Sequence, residues 1–283
     1  MEVIESISEM KNLVKEWKRR GLSLGFVPTM GYLHEGHFAL VRRAKELSDR
    51  VVVSIFVNPI QFAPGEDYQR YPRDLERDKA LLEKEGVDVL FSPKVEEMYP
   101  PGFQTYVEVK ELSLGLCGRY RAGHFVGVAT VVLKLFNIVQ PDIAVFGEKD
   151  YQQLKVIQRM VQDLNLDVKI IPHPIVREED GLAMSSRNTY LSPEERKSAI
   201  ALYKALNLAE ELVNQGERRV NLLKEKLKEF IESFPYTKVQ YIEFVHPETL
   251  KEVERVDEPT LLALAVFVGK ARLIDNKIII PKS

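Results

Sequence analysis

The stretch Leu24-Gly25-Phe26-Val27-Pro28-Thr29-Met30-Gly31-Tyr32-Leu33-His34-Glu35-Gly36-His37 decides how the chain is read. Leu24 to Val27 is a short apolar run. Pro28 has no N–H to give to a sheet ladder and is expected to mark the strand's end. Gly31 and Gly36 bracket a turn, after which Phe38, Leu40, Val41, Ala44 and Leu47 recur at helical spacing. A strand, a glycine turn and a helix in that order aim backbone N–H groups and the positive helix end at an anion. His34 and His37 stand three apart at the helix start, so both can face one ligand. Imidazole donates a hydrogen bond when neutral and carries charge when protonated, and both suit a phosphate gaining negative charge. Two other readings stand beside this one. A lone histidine is more often a cap or packing residue, a reading that two of them in His-x-Gly-His form just after a strand end make the lesser one, and His-x-x-His next to Glu35 can chelate a metal, although no cysteine or third histidine lies near.

Outward from this stretch, Val51–Val57, Val87–Phe91, Thr105–Val109, Ile143–Phe146 and Val168–Ile171 read as further strands. Between them lie helical patterns. One carries Ile7, Met10, Leu13, Val14 and Trp17 and stops at Gly21; others span Asp74–Glu85, Phe125–Val139 and Tyr151–Leu164. The alternation predicts an α/β fold, a doubly wound parallel sheet of Rossmann-like type. Near Pro172–Pro174 the pattern changes. Helices over Pro193–Asn214 and Asn221–Phe234, a short helix near Glu248, and strands Val239–Val245, Leu261–Val268 and Arg272–Ile280 follow. The late strands, joined at Gly269 and Asn276, read as antiparallel, giving a smaller C-terminal α+β domain. The expected domains are residues 1–175 and 176–283.

Forty basic and forty-two acidic side chains leave a formal charge of −2, so no overall charge points to nucleic acid or an anionic membrane. No apolar run approaches the ~18 residues a membrane span needs, and Met1 to Arg20 lacks the apolar core of a signal peptide. One cysteine, Cys117, excludes an internal disulfide and fits a reducing compartment. The expectation is a cytoplasmic protein.

Ligands of an open α/β sheet bind beyond the carboxyl ends of its strands. Three polar clusters meet that condition: Met30 to His37, Asn58 to Gln61, and Gly147-Glu148-Lys149-Asp150-Tyr151-Gln152-Gln153. Asn58 and Gln61 are neutral amides that can grip hydroxyl or carboxylate groups, or simply cap a loop. Lys149 can contact phosphate, and Asp150 can cap the next helix or bind Mg²⁺ or a ribose hydroxyl. A fourth cluster, Val176 to Asn188, sets Ser185 and Ser186 beside Arg187 as an anion-binding group. Ser192-Pro193-Glu194-Glu195 fits the capping of the next helix better, which frees the two earlier serines.

Pro28-Thr29-Met30-Gly31 leading into His34-x-Gly-His37 resembles the HIGH element of nucleotidyltransferases and class I aminoacyl-tRNA synthetases. Ala183-Met184-Ser185-Ser186-Arg187 resembles their KMSKS element, with Ala183 and Ser186 where lysines stand in the synthetases. Together with Ser54 to Phe62, Tyr71-Pro72-Arg73, Gly147 to Gln153 and Asp180 to Asn188, these motifs resemble the pantothenate synthetase (pantoate–β-alanine ligase) family, up to about Leu191.

The resemblance implies condensation of (R)-pantoate with β-alanine, driven by ATP with Mg²⁺, through a pantoyl adenylate that releases pyrophosphate and then AMP. It implies that Met30, Gly31, Tyr32, Leu33, His34, Glu35, Gly36, His37, Gly147, Glu148, Lys149, Asp150, Val176, Met184, Ser185, Ser186 and Arg187 line the ATP site. His37 would be a proton donor, and His34, Lys149, Ser185, Ser186 and Arg187 would share the catalysis. Asn58, Gln61 and Gln153 would hold pantoate, Gln61 also β-alanine, and Asp150 the metal. A homodimer is implied, with the second domain closing over the site. Two rivals remain: a cytidylyl- or adenylyltransferase of the same superfamily, and a nonenzymatic nucleotide-binding module. A tRNA synthetase is disfavoured, because the length leaves little room for an anticodon domain.

Overall fold

The computed structural model describes residues 1–282. In chain order its elements begin β1 (Glu2–Ile4), α1 (Ile7–Arg19), β2 (Leu24–Thr29), α2 (Glu35–Leu47), β3 (Arg50–Ile55) and α3 (Leu75–Lys84). Next come β4 (Val89–Phe91), α4 (Val95–Met98), α5 (Leu116–Tyr120), α6 (His124–Val139), β5 (Ile143–Gly147), α7 (Tyr151–Asp163) and β6 (Lys169–His173). The chain ends with α8 (Pro193–Ala199), α9 (Ala201–Asn214), α10 (Val220–Glu232), β7 (Thr237–Val245), β8 (Thr260–Val268) and β9 (Ala271–Ile279).

The chain divides into two compact units. The first comprises Met1–Glu111, Arg121–Glu148 and Gln153–Pro174, and the second takes Leu112–Tyr120, Lys149–Gln152 and the chain from Ile175 onward. In the first, six parallel strands lie in the order β1-β4-β3-β2-β5-β6. From β2 the chain steps outward through β3 and β4, then returns to lay β5 and β6 on the other side of β2. The winding therefore reverses between β2 and β5, and the loops leaving those two strands flank the crevice where such sheets bind ligands. Val51, Val52 and Val53 are buried, as a strand covered on both faces requires. Phe26 and Phe91 are fully buried, each worth about 1.5–3 kcal/mol of burial. The amphipathic α1 buries Met10, Val14 and Trp17 and starts at Ser6, whose hydroxyl accepts the Glu9 N–H.

Four details of this unit differ from the sequence expectation. Pro28 lies inside β2, opposite Ser54 of β3. Register with β5 ends at Phe26–Ala144, so beyond it β2 has a single neighbour, and such a margin tolerates proline. Thr105–Val109 joins no ladder. Its alternation suits a strand, but the Val107 N–H goes to the Thr130 hydroxyl of α6 at 3.0 Å instead of to another strand. β3 stops at Ile55, short of Val57. β1, unanticipated, pairs Glu2, Val3 and Ile4 with β4.

The second unit carries a three-stranded antiparallel sheet, β7-β8-β9, packed against α9 and α10. Leu202, Leu206, Leu223, Leu227, Phe244, Leu262, Leu264 and Val266 share its core. The helix expected over Pro193–Asn214 breaks at Ile200 into α8 and α9. No helix forms at Glu248. The His246 ring accepts the Glu248 and Thr249 N–H groups, Leu250 takes a left-handed φ of 55°, and the chain returns to bridge Val245 with Glu252. Gly269, with φ of 58°, does turn β8 into β9. Asn276 makes no turn: it lies within β9, opposite Ala263. Among the described residues, no helix is long and apolar enough to cross a membrane.

Candidate active site

The loop after β2 is held by hydrogen bonds to β3 and α3. The Thr29 hydroxyl donates to the Ser54 carbonyl at 2.8 Å and accepts the Gly31 N–H at 3.1 Å. Gly31 holds φ at 82°, and a Cβ there would meet Ile55 Cγ2 at 2.9 Å, so only glycine fits without displacement. Asp78 of α3, almost fully buried, accepts the Tyr32 N–H at 2.7 Å and the Leu33 N–H at 2.8 Å. Arg77 adds a donation to the Leu33 carbonyl at 3.0 Å and lays its guanidinium 4.9 Å from the centre of the Tyr32 ring. Burial lifts the Asp78 carboxyl above the ordinary aspartate range, outweighing the two N–H donors and Arg77. Neither Arg77 nor Asp78 was flagged by the sequence, because a charged pair in a charged helix has no distinguishing pattern.

His34 and His37 form a reciprocal cap at the start of α2. His34 Nδ1 accepts the Gly36 N–H at 3.1 Å, and His37 Nδ1 accepts the His34 N–H at 3.2 Å. A nitrogen that accepts carries no proton, so each imidazole holds its proton on Nε2 and is a neutral donor there. The ring centroids are 4.1 Å apart. Capping and ligand binding were alternatives in the sequence; the structure shows the cap, and the cap sets the tautomer. Glu35 is drawn away to Arg42, which also binds Glu85 at 2.6 Å. Among the described residues no three acidic, histidine or cysteine side chains cluster as a metal site.

The Asn58–Gln61 pair lies on the 3₁₀ turn Pro59–Gln61 that follows β3. Asn58 is buried and fully engaged: its Nδ2 donates to Gln61 Oε1 and to the Gly127 carbonyl, each at 3.0 Å, while its Oδ1 accepts from the Tyr99 hydroxyl at 2.8 Å. It orients Gln61, whose Nε2 lies 3.3 Å from Met30 Sδ. Beneath them His124 Nδ1 donates to the Gln61 carbonyl at 2.8 Å and its Nε2 accepts from Arg121 at 3.2 Å. Arg121 in turn forms a two-pronged pair with Glu66 at 2.7 and 2.8 Å. Burial raises the Glu66 carboxyl, but the Arg121 hydrogen bonds and charge outweigh it and hold the group below its usual range. Gly127 lets α6 approach this turn, since a Cβ there would fall 2.5 Å from the Ile60 carbonyl oxygen. Arg121, His124 and Gly127 were missed because their partners lie about sixty residues upstream.

Gly147 ends β5, the neighbour of β2, and Gln153 is half-buried in the first turn of α7. In the second unit, Lys149 Nζ lies 3.7 Å from Asp150 Oδ2. Val176 and Met184 close a hairpin, the Met184 N–H donating to the Val176 carbonyl at 3.0 Å. Ser185 is not freed from capping as expected: its hydroxyl accepts the Arg187 N–H at 3.2 Å to start the turn Ser186–Tyr190. Ser192 and Glu195 do form a capping box for α8.

Comparison with known proteins gives the family of the chain. The profile of the family described as pantoate-beta-alanine ligase matches residues 2–278. The chain is 62% identical over 279 residues to the pantothenate synthetase of Caldicellulosiruptor bescii, covering 99% of each chain. It is 59% identical to that of Thermotoga petrophila, covering 99% of this chain and 100% of the relative. The crystal structure of pantothenate synthetase from Thermus thermophilus superposes with a TM-score of 0.91 at 50% identity, covering 99% of this chain and 100% of the other. The pantoate-beta-alanine ligase of Francisella tularensis, complexed with beta-gamma ATP and beta-alanine, superposes with a TM-score of 0.82 at 36% identity, covering 98% and 97%. The chain belongs to the pantoate-beta-alanine ligase family.

Proposed function

We propose that this chain condenses (R)-pantoate with β-alanine at the expense of ATP, through an enzyme-bound pantoyl adenylate. The observation that carries the reading is the His34–His37 cap at the sheet's switch point, which supplies two neutral Nε2–H donors beside the anion-seeking start of α2.

A carboxylate acylates poorly because its leaving group would be an oxide. Attack of the pantoate carboxylate oxygen on the α-phosphorus of ATP forms a P–O bond and breaks the bond to pyrophosphate, which leaves with its electron pair. The β-alanine amine then attacks the acyl carbon, AMP departs, and the amine loses a proton. His34 and His37 donate to phosphate oxygens as charge grows on them, and Lys149, Ser185, Ser186 and Arg187 offset the repulsion between carboxylate and triphosphate. Met30 to His37, Gly147 to Asp150, Val176 and Met184 to Arg187 bind the nucleotide. Gln61, oriented by Asn58, and Gln153 hold pantoate, with Gln61 also meeting β-alanine. Mg²⁺, when bound, neutralises phosphate charge. Asp150, a single half-exposed carboxylate, fits that ion, which takes most of its ligands from phosphates and water. Assembly as a homodimer belongs to the same reading.

The test is incubation with ATP, Mg²⁺, pantoate and β-alanine. AMP is expected only with all of them present, and exchange of labelled pyrophosphate into ATP is expected to need pantoate alone among the acceptors. Exchange that ignores pantoate would replace this reading with another nucleotidyl transfer. Light scattering tests the dimer.

A further inference from the structure

Two consecutive residues of β9, Asp275 and Asn276, are almost wholly buried at 2% and 7% exposure, and they face Leu264 and Ala263 of β8. Successive strand residues point to opposite faces. Buried polar groups are costly unless their hydrogen bonds are made, so the partners of this pair show what the pair is for.

Asp275 holds Arg177 in a two-pronged contact, Nη1 to Oδ2 at 2.7 Å and Nη2 to Oδ1 at 2.9 Å, and also accepts the Asn276 N–H at 2.8 Å. Arg177 pairs with Ala183 across the hairpin that runs into Met184–Arg187. Its guanidinium donates to the Gly181 carbonyl at 3.0 Å and lies 4.8 Å from the centre of the Tyr203 ring. Gly181 has φ of 98°, and a Cβ there would fall 2.1 Å from Tyr203, so the hairpin tip is seated against that ring. Asn276 reaches a different segment: its Nδ2 donates to the Lys149 carbonyl at 2.9 Å. One strand thus anchors the backbone of Lys149 and the base of the Ser185–Arg187 loop through adjacent side chains.

We propose that Asp275 and Asn276 are positioning residues for adenylate formation, with β9 acting as a common strut for the Lys149 turn and the Arg177–Arg187 hairpin. This rests on the nucleotide role given above to Lys149 and Arg187. Neither strand residue touches substrate; each acts through the segment it holds.

Pyrophosphate–ATP exchange measured in paired backgrounds tests the strut. Asn276→Ala is expected to slow exchange about three- to tenfold, the loss of one positioning hydrogen bond. In a Lys149→Ala background it is expected to slow exchange no further. Asp275→Asn should behave likewise against Arg187→Ala. Thermal midpoints of all variants separate this from plain destabilisation, which lowers the midpoint equally in both backgrounds and leaves no such coupling in rate. If Asp275→Asn does not fold, Arg177→Lys, which keeps the charge and gives up the paired contact, takes its place. Rate losses that multiply in full across both pairs would overturn the proposal. If Lys149→Ala and Arg187→Ala themselves exchange at the unaltered rate, the nucleotide role falls and the strut falls with it.

Discussion

Asp78 Oδ1 accepts the Leu33 N–H at 2.8 Å, joining the interior of α3 to the loop that leaves β2, 45 residues away in sequence. The same carboxylate takes the Tyr32 N–H on its other oxygen. The loop's shape therefore depends on a side chain that need not touch substrate. Asp78→Asn turns one oxygen into an N–H₂ group facing a backbone donor. The expected cost is about 1–3 kcal/mol of stability, seen as a lower urea midpoint, with a raised KM for ATP. An unchanged midpoint and KM together would show that the loop holds itself.

The histidine cap separates two functions of one ring. His37→Asn keeps an acceptor near the position of Nδ1 but removes the Nε2–H, whereas His37→Ala removes both. Both variants are expected to slow adenylate formation by at least roughly tenfold in single-turnover pyrophosphate release. Only the alanine variant should also lose cap stability, on the order of 0.5–2 kcal/mol. Equal thermal midpoints for the two variants would contradict the capping role.

Gln61 is held by Asn58 and His124 with its amide beside Met30. Gln61→Ala is expected to weaken pantoate binding more than ATP binding in calorimetric titration. The reverse order would reassign the residue to the nucleotide.

The Glu66–Arg121–His124 chain gives a pH prediction. The folded-state carboxyl of Glu66 lies below its unfolded value, so its contribution to stability is present above about 4.5, the ordinary glutamate range, and is lost as pH falls through the folded value. Urea midpoints of the native chain should therefore fall in acid more steeply than those of Glu66→Gln, the two curves converging at the lowest pH. Parallel curves would mean that the pair contributes nothing.

Much of the fold was legible because its causes are local. The valines of β3, the 3.6-residue apolar spacing of α1 and α2, and the turns at Gly21 and Gly269 each rest on neighbours within one turn or strand. The misreadings fell where a distant partner overrode local preference. Thr105–Val109 has a strand's alternation, but its central N–H is taken by Thr130. Asn276, a good turn residue by type, is held inside β9 by bonds to Asp275 and Lys149.

The sequence by itself determined the alternating α/β order, the antiparallel end, and the motifs with chemistry, since apolar period, turn residues and the His34–His37 spacing are properties of contiguous chain. Only the tertiary structure decided which tautomer those histidines hold, that Asn58 orients Gln61, and which hydrogen-bonding roles Asp78, Arg121, His124, Asp275 and Asn276 take. Those roles come from hydrogen bonds closed across tens of residues, and a donor's partner at that range is chosen by packing, not by its neighbours along the chain.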